Sequence, residues 1–522
     1  MNINLLSDKV ISKDTNIIDI ILKNRAIKDT FNFLHPPYPK IKLNLKPTVK
    51  LIRKNISKNI LIYGDYDVDG ITSTAILWQS LVKLSSKIIP FIPDRQTDGY
   101  GFKADSFIRF QTEKNITFDL LITVDNGIVA HSEFKKLLKK QQIDIIVVDH
   151  HLPSNEKLPV NCLVHSPDVC GAALSWFLAK EFDPNADIGL AALGTVADCQ
   201  PLQNLNRSLV VHGLQSLNLN PSPGIKKLMS VSGLKPDSLK SYELGFVLGP
   251  RINAVGRLSN PTDALRLLCS QNSLQAAKYA ATLNDYNQTR QNLQKESLDV
   301  AQKDLDLTNK IIFVSGKFNP GIIGLIAGRL TEKYSLPSIV IAVDGELAKG
   351  SCRSISAFNM IKSLRLFDPL FVDLGGHPGA AGFSIYTKNI PKLKQKITKL
   401  ANTQLKKYLP ESVVEVDAQI LPEAVTLKNI KTLKQLEPFG IGNPEPMFLF
   451  KQVIITSKKI IGSKGDHLKL KLGNLDAIAF KKGDLDKTLN IGDKIDVVAK
   501  LDFNTWNNVT TPQLIVKEII KT

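Results

Sequence analysis

The stretch IYGDYDVDGITS, residues 62–73, places Asp65, Asp67 and Asp69 at alternate positions directly behind the apolar run Ile60, Leu61 and Ile62. In an extended backbone, positions i, i+2 and i+4 share a face, so the three carboxylates can converge. Like charges in a partly desolvated site repel one another and take up protons unless a cation holds them. Hard divalent ions accept such oxygen ligands, and an added imidazole favours Mn²⁺ over Mg²⁺. Alone, an alternating aspartate triplet would as readily be a polar turn between a strand and a helix. Two further stretches change that balance: ITVDNGI puts Asp125 at the end of another apolar run, and IIVVDHH does the same with Asp149, His150 and His151. Asp198, in LGTVADCQPL at the end of a helical pattern, adds one more carboxylate. Together they make a ligand set sufficient for two metal ions. Two ions about 3.5 to 4 Å apart activate a water and clamp the attacking and leaving oxygens of a phosphoryl group. The implied reaction is phosphoester hydrolysis.

For these side chains to meet, the elements carrying them must end at one edge. From about 58 to 200, short β-branched runs alternate with helical patterns, and NILIYG, KIIPFIP, FDLLITVD, IDIIVVD and VNCLVH read as strands. Runs that apolar are covered on both faces, as in a parallel α/β sheet, where ligands sit beyond the carboxyl ends of the strands. Residues 46–270 are therefore expected to form a catalytic α/β domain, behind a polar lead-in over 1–45. Residues 272–305 contain no Gly or Pro, which predicts a helix on the order of 50 Å long, read as a strut (271–306) between domains. A smaller α/β unit over 307–405 follows, with strands KIIFVSG and SIVIAV. From 406 to 522 the pattern turns to short strands, as expected of an OB-like β-barrel.

The chain has 522 residues, 43% hydrophobic and 22% charged, which suits a soluble multidomain protein. Its 67 Lys and Arg against 49 Asp and Glu leave a net charge of +18. Such an excess attracts nucleic acid, although a compositional bias toward Lys, Asn and Ile accounts for it equally well. The five cysteines form no CxxC pair, so neither a zinc module nor a disulfide framework is indicated, and a reducing cytoplasm is expected. No apolar run reaches the ~18 residues that would span a membrane.

The ordered series GDYDVDG, VDNGI, VDHH and GTVADCQPL resembles the four motifs of the DHH phosphoesterase superfamily. Within it, GPRINAVGRL, NPGIIGLIAGRL, GSCRS, GGHPGAAGFS and LEPFGIGNPEP resemble the RecJ single-strand-specific 5′ to 3′ exonucleases, and the resemblance covers nearly all of the chain from about residue 45. It implies a DHH domain, a facing DHHA1 domain and a RecJ OB domain. It also implies two Mn²⁺ or Mg²⁺ ions, with Asp67 and Asp69 on different metals, Asp125 bridging, and His150 and Asp198 completing the second site. Asp65 stands near the first metal. His151 would face the scissile phosphate, and Asp149 would orient a neighbouring imidazole. Ser351 and Arg353 match the family's 5′-phosphate contacts, with Arg251 or Arg257 approaching from the first domain and His377 in a glycine-rich segment.

Two positions depart from the family pattern: Tyr63 stands where many members carry His, and Asn319 where Trp-His-Pro is common. In the last domain, residues 451–522 hold 13 Lys against 8 acidic residues, a surplus suited to a strand's backbone. Trp506 is a candidate for base stacking, whereas Phe480 is expected in the core. The resulting expectation is a monomeric, cytoplasmic exonuclease acting on single-stranded DNA in repair and recombination, with single-strand-binding protein and a RecQ-type helicase as partners. The alternative is a DHH enzyme acting on oligoribonucleotides or cyclic dinucleotides, and such enzymes usually lack the C-terminal barrel.

Overall fold

The computed structural model describes residues 2–95, 97–303, 305–408 and 413–521. Strands are numbered along the chain. β1 (Asn2–Leu5) and β2 (Val10–Ile11) precede the catalytic sheet, which comprises β3 (Ile60–Tyr63), β4 (Ile88–Phe91), β5 (Leu120–Val124), β6 (Asp144–Asp149) and β7 (Cys162–His165). This sheet is wholly parallel, in the order β4-β3-β5-β6-β7. β3 and β5 are buried along their whole length, as their unbroken apolar runs require. Helices Val68–Leu81, Gly171–Ala179 and Ile188–Ala197 pack together on one face and close the main core. Aromatic residues, among them Phe102, Phe107, Phe118 and Phe134, fill the other face.

The second unit contains β8 (Ile312–Gly316), β9 (Ser338–Ala342), β10 (Leu347–Arg353), β11 (Phe371–His377) and β12 (Ala380–Tyr386), in the order β11-β12-β10-β9-β8. Only the β8–β9 pair is parallel. The GGHPGAAGFS segment forms the β11–β12 hairpin.

After β13 (Val413–Val416) and β14 (Ala418–Ile420) come β15 (Phe448–Ile461), β16 (His467–Leu472), β17 (Leu475–Ala479), β18 (Lys494–Trp506) and β19 (Val509–Lys521). β15 pairs with β16, β16 with β17, β17 with β19, β19 with β18, and β18 again with β15. That ring of five strands leaves no free edge.

Two expectations are corrected here, and one is extended. The first 45 residues are not a separate lead-in: β1 pairs with β13, β2 pairs with β14, and Ile17, Ile18, Ile21, Leu22 and Phe33 are buried in the core of the last domain. Their polar appearance hid a short amphipathic helix, Ile17–Asn24, that covers one end of that core. The expected connecting helix between the two α/β units is Ser273–Lys303, and it is anchored in both of them. Ala276, Ala280 and Leu283 belong to the catalytic core, and Ala301 belongs to a core of the second unit, so one helix is anchored in both. Small residues at those positions allow close packing in an otherwise polar sequence. Phe480 is not in the barrel core; it is half exposed, edge-on to His467.

The segment LEPFGIGNPEP docks the last domain onto the first. Arg207, buried on a helix of the catalytic domain, donates to the carbonyls of Phe33 (2.6 Å), Leu436 (3.0 Å) and Glu437 (2.8 Å) and lies over the Phe33 ring. Asn443, also buried, donates to the carbonyls of Leu436 and Pro438 and accepts from Arg25. Removing one partner from a buried polar group leaves the other to bear its full desolvation cost. Arg207→Ala is therefore expected to lower stability by about 2–4 kcal/mol and to expose the segment around 430–445 to limited proteolysis. Unchanged cleavage and melting would show that the latch is dispensable.

Candidate metal centre and nucleic-acid cleft

β3 ends at Tyr63, and the chain turns through Asp65 and Asp67 into the helix Val68–Leu81. Asp67 caps that helix by accepting from the Gly70 amide at 3.1 Å, and Asp69 lies in its first turn. Asp125 follows β5 with φ +61°, a left-handed conformation that is costly for a side chain and typical of functional turns. His150 follows β6. Asp198 ends the helix Ile188–Ala197. The alternate spacing at 65–69, the strand ends and the helix end thus deliver their groups to one place.

His150 Nε2 lies 3.3 Å from Asp125 Oδ1, 3.7 Å from Asp69 Oδ2 and 3.8 Å from Asp198 Oδ2. Three overlapping sets have ligand atoms all within 4.8 Å of one another: Asp65, Asp67 and Asp125; Asp69, His150 and Asp198; and Asp125, His150 and His151. Asp125 occurs in two of them, and its buried Oδ1 has no hydrogen-bond partner among the described residues. Burial pushes the Asp65 carboxyl up to about 8, with Asp67 adding repulsion. Burial and then Asp69 push Asp198 up to about 7. Asp125 is raised well above the usual range by burial and by Asp69, Asp67 and Asp65. Burial lowers His150 and keeps its imidazole neutral, the form that binds metals. An unpartnered carboxylate oxygen amid mutually repelling carboxylates is what a bound divalent cation would satisfy, so the donor set fits Mn²⁺ or Mg²⁺.

Asp149 does not join the ligands. It accepts from His151 Nδ1 at 2.7 Å and from the Ile128 amide at 2.9 Å, as expected of a residue that orients an imidazole. Burial opposes protonation of His151, but the hydrogen bond and charge of Asp149 outweigh it and raise the imidazole to about 9. Tyr63 turns away from the cluster into the aromatic face, between Phe91 and Phe102, and Asn319 accepts from the Gly321 amide at 2.8 Å.

A second cluster lies beside the first. Burial lowers the half-buried Arg257 to about 10, as do the nearby positive charges of Arg95, Arg290 and Arg353, while Asp67 opposes this. None of these four arginines makes a salt bridge among the described residues, so the cluster is prepared for an anion. Arg353 and Ser351 stand on β10 against Gly324, at the start of the helix Ile323–Tyr334, whose amides add a favourable dipole. Arg257 also donates to the Gly321 carbonyl at 3.3 Å and so links the two units. Arg251 is engaged otherwise, with Asn284 at 3.1 Å and the Val247 carbonyl at 2.7 Å. His377 is exposed at the end of β11, and Trp506, 74% exposed, tips the β18–β19 hairpin.

Sequence reasoning missed several contributors. The amides of Gly171 and Ala172 hold Asp69 at 2.7 and 2.8 Å, and a Cβ at Gly171 would lie 2.7 Å from that of Asp125. Tyr100 shares a 3.1 Å hydrogen bond with His151 Nε2. Arg95 lies over the Tyr66 ring. Its position in the loop after a parallel strand was the available signal; Arg290, alone in a polar helix, offered none.

A model of the DHH family, N-terminal domain, matches residues 59–197; a DHHA1 domain model matches 308–403 and a RecJ OB domain model 416–518. The single-stranded-DNA-specific exonuclease RecJ of Bacillus subtilis is 34% identical over 91% of this chain and 63% of its own length. That of Thermus thermophilus is 32% identical over 91% and 71%, and that of Escherichia coli 30% over 88% and 87%. The crystal structure of the Thermus thermophilus RecJ in complex with Mn²⁺ matches with a TM-score of 0.84 at 29% identity, over 96% of this chain and 75% of that one. Fold and site together define a metal-dependent phosphoesterase of the DHH class. The OB domain and the relatives narrow that class further. The chain belongs to the RecJ family of single-stranded-DNA-specific exonucleases, and it spans 63% of the length of its Bacillus subtilis relative. No helix among the described residues is long and apolar enough to cross a membrane.

Proposed function

We propose that this chain hydrolyses single-stranded DNA from the 5′ end and releases 5′-mononucleotides. The observation that carries the reading is the placement of an arginine cluster that makes no salt bridge among the described residues beside a carboxylate and imidazole cluster. Asp65, Asp67 and Asp125 would hold one divalent ion, and Asp69, His150 and Asp198 another, with Asp125 between them. When bound, such ions supply an activated water and neutralise charge on the phosphoryl group. Arg257, Arg353 and Ser351 grip the terminal 5′-phosphate, which sets the first phosphodiester over the carboxylates and makes one nucleotide the unit of release. His151, protonated at neutral pH, donates its proton to the leaving 3′ oxygen, while Asp149 fixes its orientation. The lysine-rich barrel follows the strand beyond the cleft, with Trp506 as a stacking surface.

Mn²⁺-dependent release of mononucleotides from a 5′-phosphorylated single strand tests the reading. Activity confined to dinucleotides would favour the oligoribonuclease or cyclic-dinucleotide alternative. Arg353→Ala is expected to reduce the preference for 5′-phosphate over 5′-hydroxyl ends by about tenfold or more, since hydrogen bonds to charged groups contribute roughly 1.5–3 kcal/mol. An undiminished preference would remove Arg353 from the terminal site. A monomer with its own cleft needs no second copy, and the expected partners, single-strand-binding protein and a RecQ-type helicase, are those that expose its substrate.

A further inference from the structure

A groove of about 660 Å³ lies between the catalytic domain and the docked LEPFGIGNPEP segment. Cys199 and Gln200 line its inner end, and Gln200 donates to Asp198 Oδ2 at 2.8 Å, so the groove begins at a residue of the ligand set. Tyr242 and Phe246 also line it. Their rings stack on each other at 5.0 Å and are 62% and 71% exposed; Phe246 lies within a π-helical turn over Glu243–Leu248, and Tyr242 directly precedes it. Turns of that kind recur at functional sites. The acidic groups in the wall are already neutralised: Glu437 pairs with Lys240 at 3.0 Å and Glu445 with Lys500 at 2.5 Å.

We infer that this groove carries the strand on the 3′ side of the scissile bond, with bases stacking on the Tyr242–Phe246 pair. The inference rests on the proposed exonuclease reading and adds to it the direction of the strand. With the 5′-phosphate held at Arg257 and Arg353, a strand that passes Asp198 meets Gln200 and then an apolar groove that includes these two rings. Aromatic faces accept any base, which suits an enzyme without sequence preference. The neutralised acidic groups leave no repulsion to the phosphates. An apolar peptide would fill the groove less specifically, since nothing in its wall selects a side chain.

The test compares the wild type with Tyr242→Ala/Phe246→Ala on 5′-phosphorylated dinucleotide and on strands of about twenty nucleotides, with Mn²⁺. The ratio of kcat/KM for the long strand to that for the dinucleotide is expected to fall about tenfold, mostly through KM, because a lost stack corresponds to roughly that factor. Tyr242→Phe should preserve the ratio. In the wild type, a long strand with abasic positions just 3′ of the scissile bond should show the same rise in KM, a readout that does not depend on the variant folding. An unchanged ratio, or abasic strands that bind as well as intact ones, would overturn the inference and leave the groove to a peptide partner. Failure of the parent reading looks different: the wild type would degrade neither substrate, or the dinucleotide alone.

Discussion

Asp125→Ala is expected to lower turnover of single-stranded DNA by about 10³-fold or more while leaving the fold intact, because a two-ion site acts as a unit. Asp125 is common to two of the three candidate ligand sets and sits in a left-handed backbone conformation. Stability gives an independent readout. Divalent ions bind only the folded arrangement, so Mn²⁺ at a hundredfold excess over its Kd should stabilise the wild type by about 2.7 kcal/mol; the variant should lose most of that gain. The sign of the pH dependence without metal follows from the same carboxylates. Asp65 and Asp198, at about 8 and about 7, bind protons in the folded state that the unfolded chain has released. Their contribution is full below the ordinary carboxylate range and is lost as pH rises through 7 and 8. His151, raised to about 9, acts in the same direction in that window. Melting in chelator should therefore be lower at pH 8 than at pH 5, and saturating Mn²⁺ should flatten the difference. A variant with wild-type turnover and an undiminished Mn²⁺ shift would remove Asp125 from the centre.

His151→Gln should slow turnover by about 10²–10⁴-fold, the range for loss of a positioned general acid. Its Nδ1 is committed to Asp149 at 2.7 Å and its Nε2 meets the Tyr100 hydroxyl at 3.1 Å, so the ring is fixed and the leaving oxygen would take the place of Tyr100 at Nε2. A substrate with sulfur in place of the bridging 3′ oxygen separates acid catalysis from mere structure, because a thiolate leaves without protonation. On that linkage the variant should approach the wild type. Equal losses on both linkages would assign His151 a role in binding instead.

The parallel sheet and five of the six candidate ligands were legible because unbroken apolar strands lead into acidic or imidazole residues, a pattern with few other physical reasons to exist, whereas Asp198 stands at a helix end. The barrel was legible as short alternating strands. The fold of residues 1–45 was not: β1 and β2 are too short to signal a strand, and each is defined by a partner some 400 residues away. Phe480 was misplaced because one aromatic ring at the end of a short strand fits either face until the register is known. The amides of Gly171 and Ala172 that hold Asp69 belong to a helix start without a side-chain cap, which leaves no mark beyond a glycine.

The helix Ser273–Lys303 has a consequence for the product. Because one unbroken rod is rooted in both cores, the span between the arginine cluster and the carboxylate cluster is held like the fixed jaw of a calliper. Under the proposed reading, such a gauge sets a constant increment of cutting whatever the bases.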